Sequence, residues 1–169
     1  MRKNHQLINQ DSGKFEYFTP PEIVEAARAV MGSIDLDPAS TRKANRWIKA
    51  GTIYTLKQDG LKQNWFGNVW MNHPFSRKNN PIWINKLLHE YVNGAVSQAI
   101  CITYASTSEA WFRDLMDFAQ CFLYPRTNYC DEKGKKKRGV TKGSVVTYLG
   151  NDMKKFIKAF DGHFGTVKL

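Results

Sequence analysis

The chain has 169 residues, of which 42% are hydrophobic and 13% aromatic, which is enough apolar material for one domain and excludes a disordered chain. Lysine and arginine number 25 against 15 aspartate and glutamate, so the formal net charge is +10 and nucleic acid is the expected partner. No apolar run approaches the length that crosses a bilayer, and the three cysteines and four histidines lack metal-ligand or disulfide spacing, so neither a membrane nor a metal is expected.

Residues 1–14 are polar and lack the apolar core of a secretory signal. We therefore expect a flexible N-terminus, a compact domain over residues 15–169 and a cytoplasmic location. The first helix is predicted to begin at Thr19 and Glu22, which have the spacing of a capping box with Pro20 at the first helical position. Gly32 is a typical end for this helix.

Further elements follow in alternation. Strands are predicted at residues 33–37, 53–56, 69–71, 98–104, 121–124, 144–149 and 164–169. Helices are predicted after Pro81, after a second capping-box spacing of Ser106 and Glu109 that includes Met116 and Ala119 on its apolar face, and around residues 156–160. Strands that alternate with helices predict an α/β fold with a doubly wound, mostly parallel sheet.

The stretch from Gly67 to Ser76 contains the strongest functional candidate. A short apolar run at residues 69–71 ends in Asn72, His73, Pro74 and Phe75. Pro74 cannot continue a central strand, so these residues are predicted to open a loop at a carboxyl strand end, where α/β sheets bind ligands. The Asn72 side-chain oxygen and the His73 carbonyl could accept the two N–H groups of an exocyclic amine, with Phe75 against the ring. An ordinary asparagine-initiated turn is the alternative.

Acidic residues follow two other predicted elements. Asp35 and Asp37 flank Leu36 at the end of the strand predicted at residues 33–37, and Asp59 heads a turn with Gly60. Carboxylates at a strand's carboxyl end could hold an ammonium group or a ribose hydroxyl, although an ordinary Asp-Pro turn is equally compatible with the residues. No glycine-rich phosphate turn is present, so the ligand need not carry a pyrophosphate.

The segment 131–142 has no hydrophobic period and is rich in lysine, so it is either a solvated loop or an arm that contacts phosphates. Given the net charge, we favour the phosphate-contacting arm. The candidate nucleic-acid contacts are Arg77, Lys78, Arg126, Lys133, Lys135, Lys136, Lys137, Arg138 and Lys142.

Taken in order, these motifs resemble the phage-type DNA N6-adenine methyltransferases, the Dam-like family. The matching segments are Phe18-Thr19-Pro20-Pro21-Glu22, residues 35–40 with Ala44-Asn45, Asp59-Gly60-Leu61, Asn72-His73-Pro74-Phe75, and Arg126 with residues 143–146. The family has proline where this chain has His73, but the acceptor at that position is a backbone carbonyl, which histidine also supplies.

The resemblance implies a single-domain, Rossmann-like methyltransferase fold that uses S-adenosyl-L-methionine and methylates adenine N6 in DNA by base flipping, in a phage or prophage context. It implies cofactor contacts from Phe18, Thr19, Pro20, Asp35, Asp37, Pro38, Asn45, Asp59 and Asn72. It assigns the reaction to Asn72, His73, Pro74 and Phe75. No acidic residue lies between Asp37 and Asp59 to hold the ribose hydroxyls, so Asn45 or Asp37 would take that role.

Two other functions remain open. A catalytically inactive nucleic-acid-binding protein with the same fold is favoured by His73 in place of proline. A protein glutamine methyltransferase would use a similar motif, but the positive charge and the lack of a separate substrate domain disfavour it. The recognition sequence and the oligomeric state do not follow from the residues.

Overall fold

The fold is described from a computed structural model that covers residues 18–131, 133–137 and 140–169. The predicted flexible segment 1–14 and the candidate contact Arg138 lie outside these residues. The strands are β1 (Leu36–Asp37), β2 (Thr52–Ile53), β3 (Gly67–Met71), β4 (Val96–Tyr104), β5 (Ala119–Leu123), β6 (Ser144–Leu149) and β7 (Gly165–Lys168). The helices are α1 (Pro21–Met31), α2 (Asn45–Ile48), α3 (Asn79–Val92), α4 (Ala110–Arg113) and α5 (Met153–Phe160), with a 3₁₀ turn at Gly60–Lys62.

The seven strands form one sheet in the order β2-β1-β3-β4-β6-β5-β7. The pairs β1/β2, β1/β3 and β3/β4 are parallel, whereas β4/β6, β5/β6 and β5/β7 are antiparallel. Strands β1 to β5 therefore point the same way and β6 and β7 point the opposite way. The predicted α/β class is confirmed. The prediction of a mostly parallel sheet is confirmed in part: most strands point the same way, but only half of the neighbouring pairs are parallel.

Side chains alternate along the central strands and pack into two apolar clusters, one on each face of the sheet. Trp70 joins the cluster with α1, α2 and α5. Val69 and Met71 join the cluster with α3 and α4. Helices therefore cover both faces, and a side chain's place along a strand decides which helical layer it contacts.

The strand order reverses between β1 and β3, and the space beyond the carboxyl ends of these two strands is called the crevice below. The chain passes from β1 outward to β2 and then crosses to the other side of β1 to form β3. In open α/β sheets, such a reversal places a ligand site beyond the carboxyl ends of the two strands that flank it. Asp37 ends β1 and Asn72 follows β3, so both lie at this crevice.

Several predicted element boundaries are wrong. Both predicted capping boxes fail, because α1 is capped by Pro20 and α4 by Glu109, neither with a side-chain hydrogen bond. The predicted helix over Met116 and Ala119 stops at Arg113; tight turns follow, Met116 is exposed, and Ala119 begins β5. β2 ends at Ile53, and the following Leu56 is 97% exposed.

Close packing at Gly60 joins the turn after β2 to the loop after β1. A Cβ atom added at Gly60 would overlap the carbonyl oxygen of Pro38 and crowd the Trp83 ring. The Gly60 carbonyl also accepts a hydrogen bond of 2.8 Å from the Trp65 indole N–H, which is buried. The absence of a side chain at position 60 therefore lets the Asp59–Leu61 segment lie against the loop that follows Asp37.

We predict that Gly60→Ala lowers the free energy of unfolding by about 1–3 kcal/mol or more, because the backbone at Pro38 must move to admit the methyl group. Chemical denaturation of both proteins measures the change. Gly143→Ala is the matched control, since a Cβ there meets no atom within 4 Å. Equal stabilities of the Gly60 and Gly143 variants would contradict the proposed packing constraint.

Candidate active site at the end of strand β3

Asn72 is held in place by the segment that precedes α1. It continues the alternation of β3, so its side chain points toward the layer of α1. There its Nδ2 donates a hydrogen bond of 3.0 Å to the hydroxyl of Thr19, which is buried. This bond commits an N–H of the carboxamide and so fixes the direction of its oxygen.

Thr19 reaches Asn72 because Phe18 is paired with a distant part of the chain. The backbone of Phe18 makes two hydrogen bonds with Cys130, of 3.0 and 2.8 Å, and its ring packs edge-on against Trp47 with centroids 5.4 Å apart. Phe18, Thr19 and Pro20 are all buried. The predicted N-cap role of Thr19 is wrong, since its side chain makes no cap hydrogen bond to α1. Its hydroxyl instead accepts a bond from Asn72.

His73 points to the opposite face of the sheet. Its ring is 2% exposed, stacks on Trp83 of α3 at 6.2 Å between centroids, and lies 2.9 Å through Nε2 from Oδ1 of Asn80. Burial lowers the pKa of His73 to about 4, although the Asn80 bond opposes that shift. The imidazole is therefore neutral at physiological pH.

Phe75 belongs to a small group of aromatic rings beyond the strand ends. Its centroid lies 4.7 Å from Tyr104, 6.1 Å from Tyr129 and 5.4 Å from His73. The Tyr129 hydroxyl is 2.9 Å from the Ser144 hydroxyl, which anchors this side of the group to β6. The partly buried Phe75 ring can therefore offer a flat apolar surface at the crevice.

Asp37 is a buried carboxyl at the end of β1, only 1% exposed. Burial raises its pKa to about 7, an effect that the Ala39 N–H, which donates to Oδ1 at 3.2 Å, partly offsets. Leu36 is in register with Val69, which puts Asp37 opposite Trp70 and on the order of 8 Å from Asn72 along the sheet edge. A cationic ligand group in the crevice would offset the cost of this buried charge.

Of the other predicted cofactor residues, some lie at the crevice and others have side chains bonded to the backbone elsewhere. Pro38 and Asp59 lie at the crevice, where Asp59 accepts a hydrogen bond from the Leu61 N–H and pairs with Lys62 at 3.0 Å. Asp35 lies at the amino end, where its carboxylate accepts from the Asn68 N–H, so it is on the order of 13 Å along the strand from Asn72. Asn45 uses both ends of its carboxamide on the Ala50 backbone and closes the loop after α2.

The candidate nucleic-acid contacts gather at the same edge of the sheet. Arg77 and Lys78 follow the end of β3, and Arg126 follows the end of β5. The lysine-rich segment 131–142 precedes β6, which runs opposite to β3 and β5, so the start of β6 lies at the same edge. Every one of these candidates that the structure describes is exposed. Lys136 is paired with Glu22 of α1 at 2.6 Å, and Lys142 lies over the Tyr104 ring at 5.2 Å from its centroid.

Sequence reasoning missed Asn80, Trp83, Tyr104 and Tyr129. Asn80 falls in the loop predicted before Pro81 and Trp83 appears as an ordinary helical residue, and no local pattern shows that they face His73. Tyr129 did carry a signal, since it is an aromatic residue next to a basic, non-periodic loop.

Among residues 18–131, 133–137 and 140–169, no group of three or more His, Cys, Asp or Glu side chains could hold a metal, and none of the helices is long and apolar enough to cross a membrane.

A buried carboxyl, an oriented carboxamide and a partly buried aromatic ring thus lie at the strand reversal of an α/β protein. A comparison with protein families matches residues 9–161 to the family of DNA N-6-adenine-methyltransferases (Dam). The chain belongs to this family, which confirms the resemblance carried by its motifs. A search of curated proteins finds no match.

We predict that Asp37→Asn stabilises the protein more at pH 8 than at pH 5. The native pKa near 7 lies above the ordinary value of 3.8, so the stability that the protonated carboxyl confers is fully present below about pH 4 and is lost as the pH rises through 7. The difference between the two pH values should be on the order of 2–3 kcal/mol. Thermal or urea unfolding without cofactor measures it. Asp117→Asn, at an exposed position, is the control, and a gain from Asp37→Asn that is independent of pH would contradict the assignment.

Proposed function

We propose that the protein transfers a methyl group from S-adenosyl-L-methionine to the N6 amine of adenine in DNA, and that the target base leaves the duplex to enter the crevice. The observation that carries this proposal is the Asn72 carboxamide, oriented by Thr19 at the reversal in strand order and close in the chain to the partly buried ring of Phe75. Family membership supports the reaction class. We take the fold to be the doubly wound methyltransferase fold, formed by residues 15–169.

The cofactor would lie against the loops after β1 and β2. Asp37 and Pro38 lie at the end of β1, the segment around Asp59 packs on them through Gly60, and Thr19 and Asn72 close the opposite side. The buried Asp37 suits a ligand that carries positive charge, as this cofactor does at its ammonium and sulfonium groups. When bound, the cofactor supplies a methyl group on a cationic sulfur, which is a strong electrophile.

The protein's own groups then act on the amine. The Asn72 oxygen and the His73 carbonyl accept hydrogen bonds from the two N–H groups of the amine. These bonds draw the nitrogen lone pair out of conjugation with the ring and direct it at the methyl group. Phe75 stacks on the base and fixes its plane. Because both acceptors are in place before charge develops, they stabilise the positively charged amine in the transition state without reorganising. As the carbon–nitrogen bond forms, the carbon–sulfur bond would break to leave a neutral thioether, and the methylated nitrogen would then release one proton to solvent.

The base must leave the stack because an amine inside a duplex cannot reach a partly buried carboxamide at the end of β3. Exposed basic side chains line the edge that contains the crevice, and they would contact the phosphates on either side of the everted nucleotide. Lys142 connects this basic edge to Phe75, since its ammonium group lies over the Tyr104 ring, which contacts Phe75.

We predict that Asn72→Ala lowers the rate of methyl transfer to unmethylated DNA by about 100-fold or more, since one of the two fixed acceptors is lost. Labelled S-adenosyl-L-methionine and mass analysis of the released nucleosides give the rate and the product. Asn85→Ala, on the exposed side of α3, is the matched control and should act as wild type. Equal incorporation by wild type and Asn72→Ala would refute the role of Asn72. DNA binding without cofactor heat in calorimetry would favour the inactive binding protein instead.

We predict that Lys133→Gln together with Lys135→Gln weakens binding to duplexes of any sequence and lowers the slope of log affinity against log salt by about 2, or roughly 0.9 for each lost phosphate contact. Binding measured by fluorescence anisotropy over a range of salt concentrations tests this. Lys154→Gln with Lys158→Gln on α5 removes the same charge from another surface and should leave the slope nearly unchanged. The same slope for both double variants would show that loop 131–142 does not contact phosphates.

A further inference from the structure

The His73 side chain lies in a place where its chemistry is unused by the proposed reaction, which needs only its carbonyl. The ring is buried between the loop and α3, stacked on Trp83 and edge-on to Phe75 at 5.4 Å. A purely apolar side chain would suit these neighbours better. The presence of an imidazole therefore calls for an explanation in terms of its two nitrogens.

One nitrogen ties the loop to α3. Nε2 lies 2.9 Å from Oδ1 of Asn80, and because an amide oxygen can only accept, the proton of the neutral ring resides on Nε2. Asn80 is itself buried in the first turn of α3, and its backbone N–H donates to the Ser76 carbonyl at 3.0 Å. The two contacts fasten both ends of the segment from His73 to Ser76 to one turn of helix.

The other nitrogen has no partner. Nδ1 is buried and makes no hydrogen bond within the part of the chain that the structure describes. Leaving a buried acceptor unpaired costs stability. A ring that contributes one bond and leaves one acceptor unpaired is a poor choice for stability alone, so the bond through Nε2 is the feature to be explained.

The environment keeps the ring from acting as a proton carrier. Asn80 and Trp83 on α3 and Phe75 in the loop carry no charge and do not titrate, and burial holds the pKa of His73 near 4. A base this weak does not collect a proton efficiently at neutral pH. Its contribution must come through geometry.

We propose that His73 and Asn80 are positioning residues: the bond from Nε2–H to Asn80 sets the direction of the His73 carbonyl and the plane of Phe75. The inference rests on the proposed function, in which that carbonyl accepts an N–H of the target amine. Two neighbouring residues of the loop then point to opposite layers, Asn72 to Thr19 and His73 to Asn80. The two residues that bear the acceptors are therefore held from both faces of the sheet.

The test compares Asn80→Leu, which keeps the size but removes the acceptor, with Asn80→Asp, which keeps an acceptor. We expect Asn80→Leu to lower kcat roughly 10- to 100-fold, with KM for DNA and the calorimetric Kd for cofactor within about twofold of wild type. Asn85→Leu, on the exposed side of the same helix, makes the same substitution and should have no effect.

Asn80→Asp should restore much of kcat at high pH and introduce a new pH dependence. A carboxylate facing Nε2–H favours the imidazolium and raises the pKa of His73, so kcat at saturating cofactor should fall on the acid side at a higher pH than in wild type. A general loss of folding would not produce such a shift. Unchanged kcat in Asn80→Leu, or identical pH profiles for Asn80→Asp and wild type, would overturn the proposal.

A spectroscopic measurement separates this proposal from the proposed function. NMR of protein labelled with ¹⁵N-histidine should show His73 as the neutral tautomer with its proton on Nε2, and the signal should change in Asn80→Leu. That tautomer with no methyl transfer by wild type would refute the proposed function while leaving the His73–Asn80 bond intact. The opposite tautomer or a charged ring, alongside normal methyl transfer, would refute the positioning role alone.

Discussion

The alternation of side chains at the end of β3 is the constraint on which the site depends. A strand sends successive side chains to opposite faces, so Asn72 and His73 must contact different helical layers. One contacts the segment before α1 through Thr19, and the other contacts α3 through Asn80. A loop with a single anchor could rotate about it, whereas a loop with an anchor on each face cannot. The alternation of side chains along β3 therefore fixes the positions of Asn72 and His73, which bear the proposed acceptors.

The anchors themselves depend on contacts between distant parts of the chain. Thr19 is placed by the backbone pairing of Phe18 with Cys130, and that pairing also brings Tyr129 beside Phe75. On the other side of the crevice, the contact of Gly60 with Pro38 brings the turn after β2 to the end of β1. The site is thus assembled from segments that follow or precede most strands of the sheet. A substitution that disrupts the packing at any of these contacts would therefore displace the proposed acceptors, although it lies outside the site.

The sequence predicted the strands and the loop at Asn72 well, because buried apolar runs and a proline at a strand end have few alternative structures. It predicted contacts between elements poorly. Thr19 and Glu22 have the spacing of a capping box, yet the hydroxyl bonds to a residue 53 positions away and the carboxylate pairs with Lys136. Asp35 and Asn45 matched family motifs in order, but their side chains serve the backbone of neighbouring segments. A hydroxyl, a carboxylate or an amide has several suitable partners, and only the tertiary fold selects one.

The distribution of charge completes the account of how one small sheet could serve a cationic cofactor and a polyanionic substrate. The basic residues proposed to contact DNA lie at the carboxyl edge of the sheet, whereas the side chains at the end of β3 are neutral: an amide, an uncharged imidazole and a phenyl ring. A cation beside the amine would oppose the positive charge that develops on nitrogen during methyl transfer, and a carboxylate would add a proton equilibrium near the acceptors. Neutral acceptors avoid both effects. Asp37, the buried acid at the crevice, lies at the end of the neighbouring strand, and under the proposed function its carboxylate would face the cofactor and remain separate from the reacting amine.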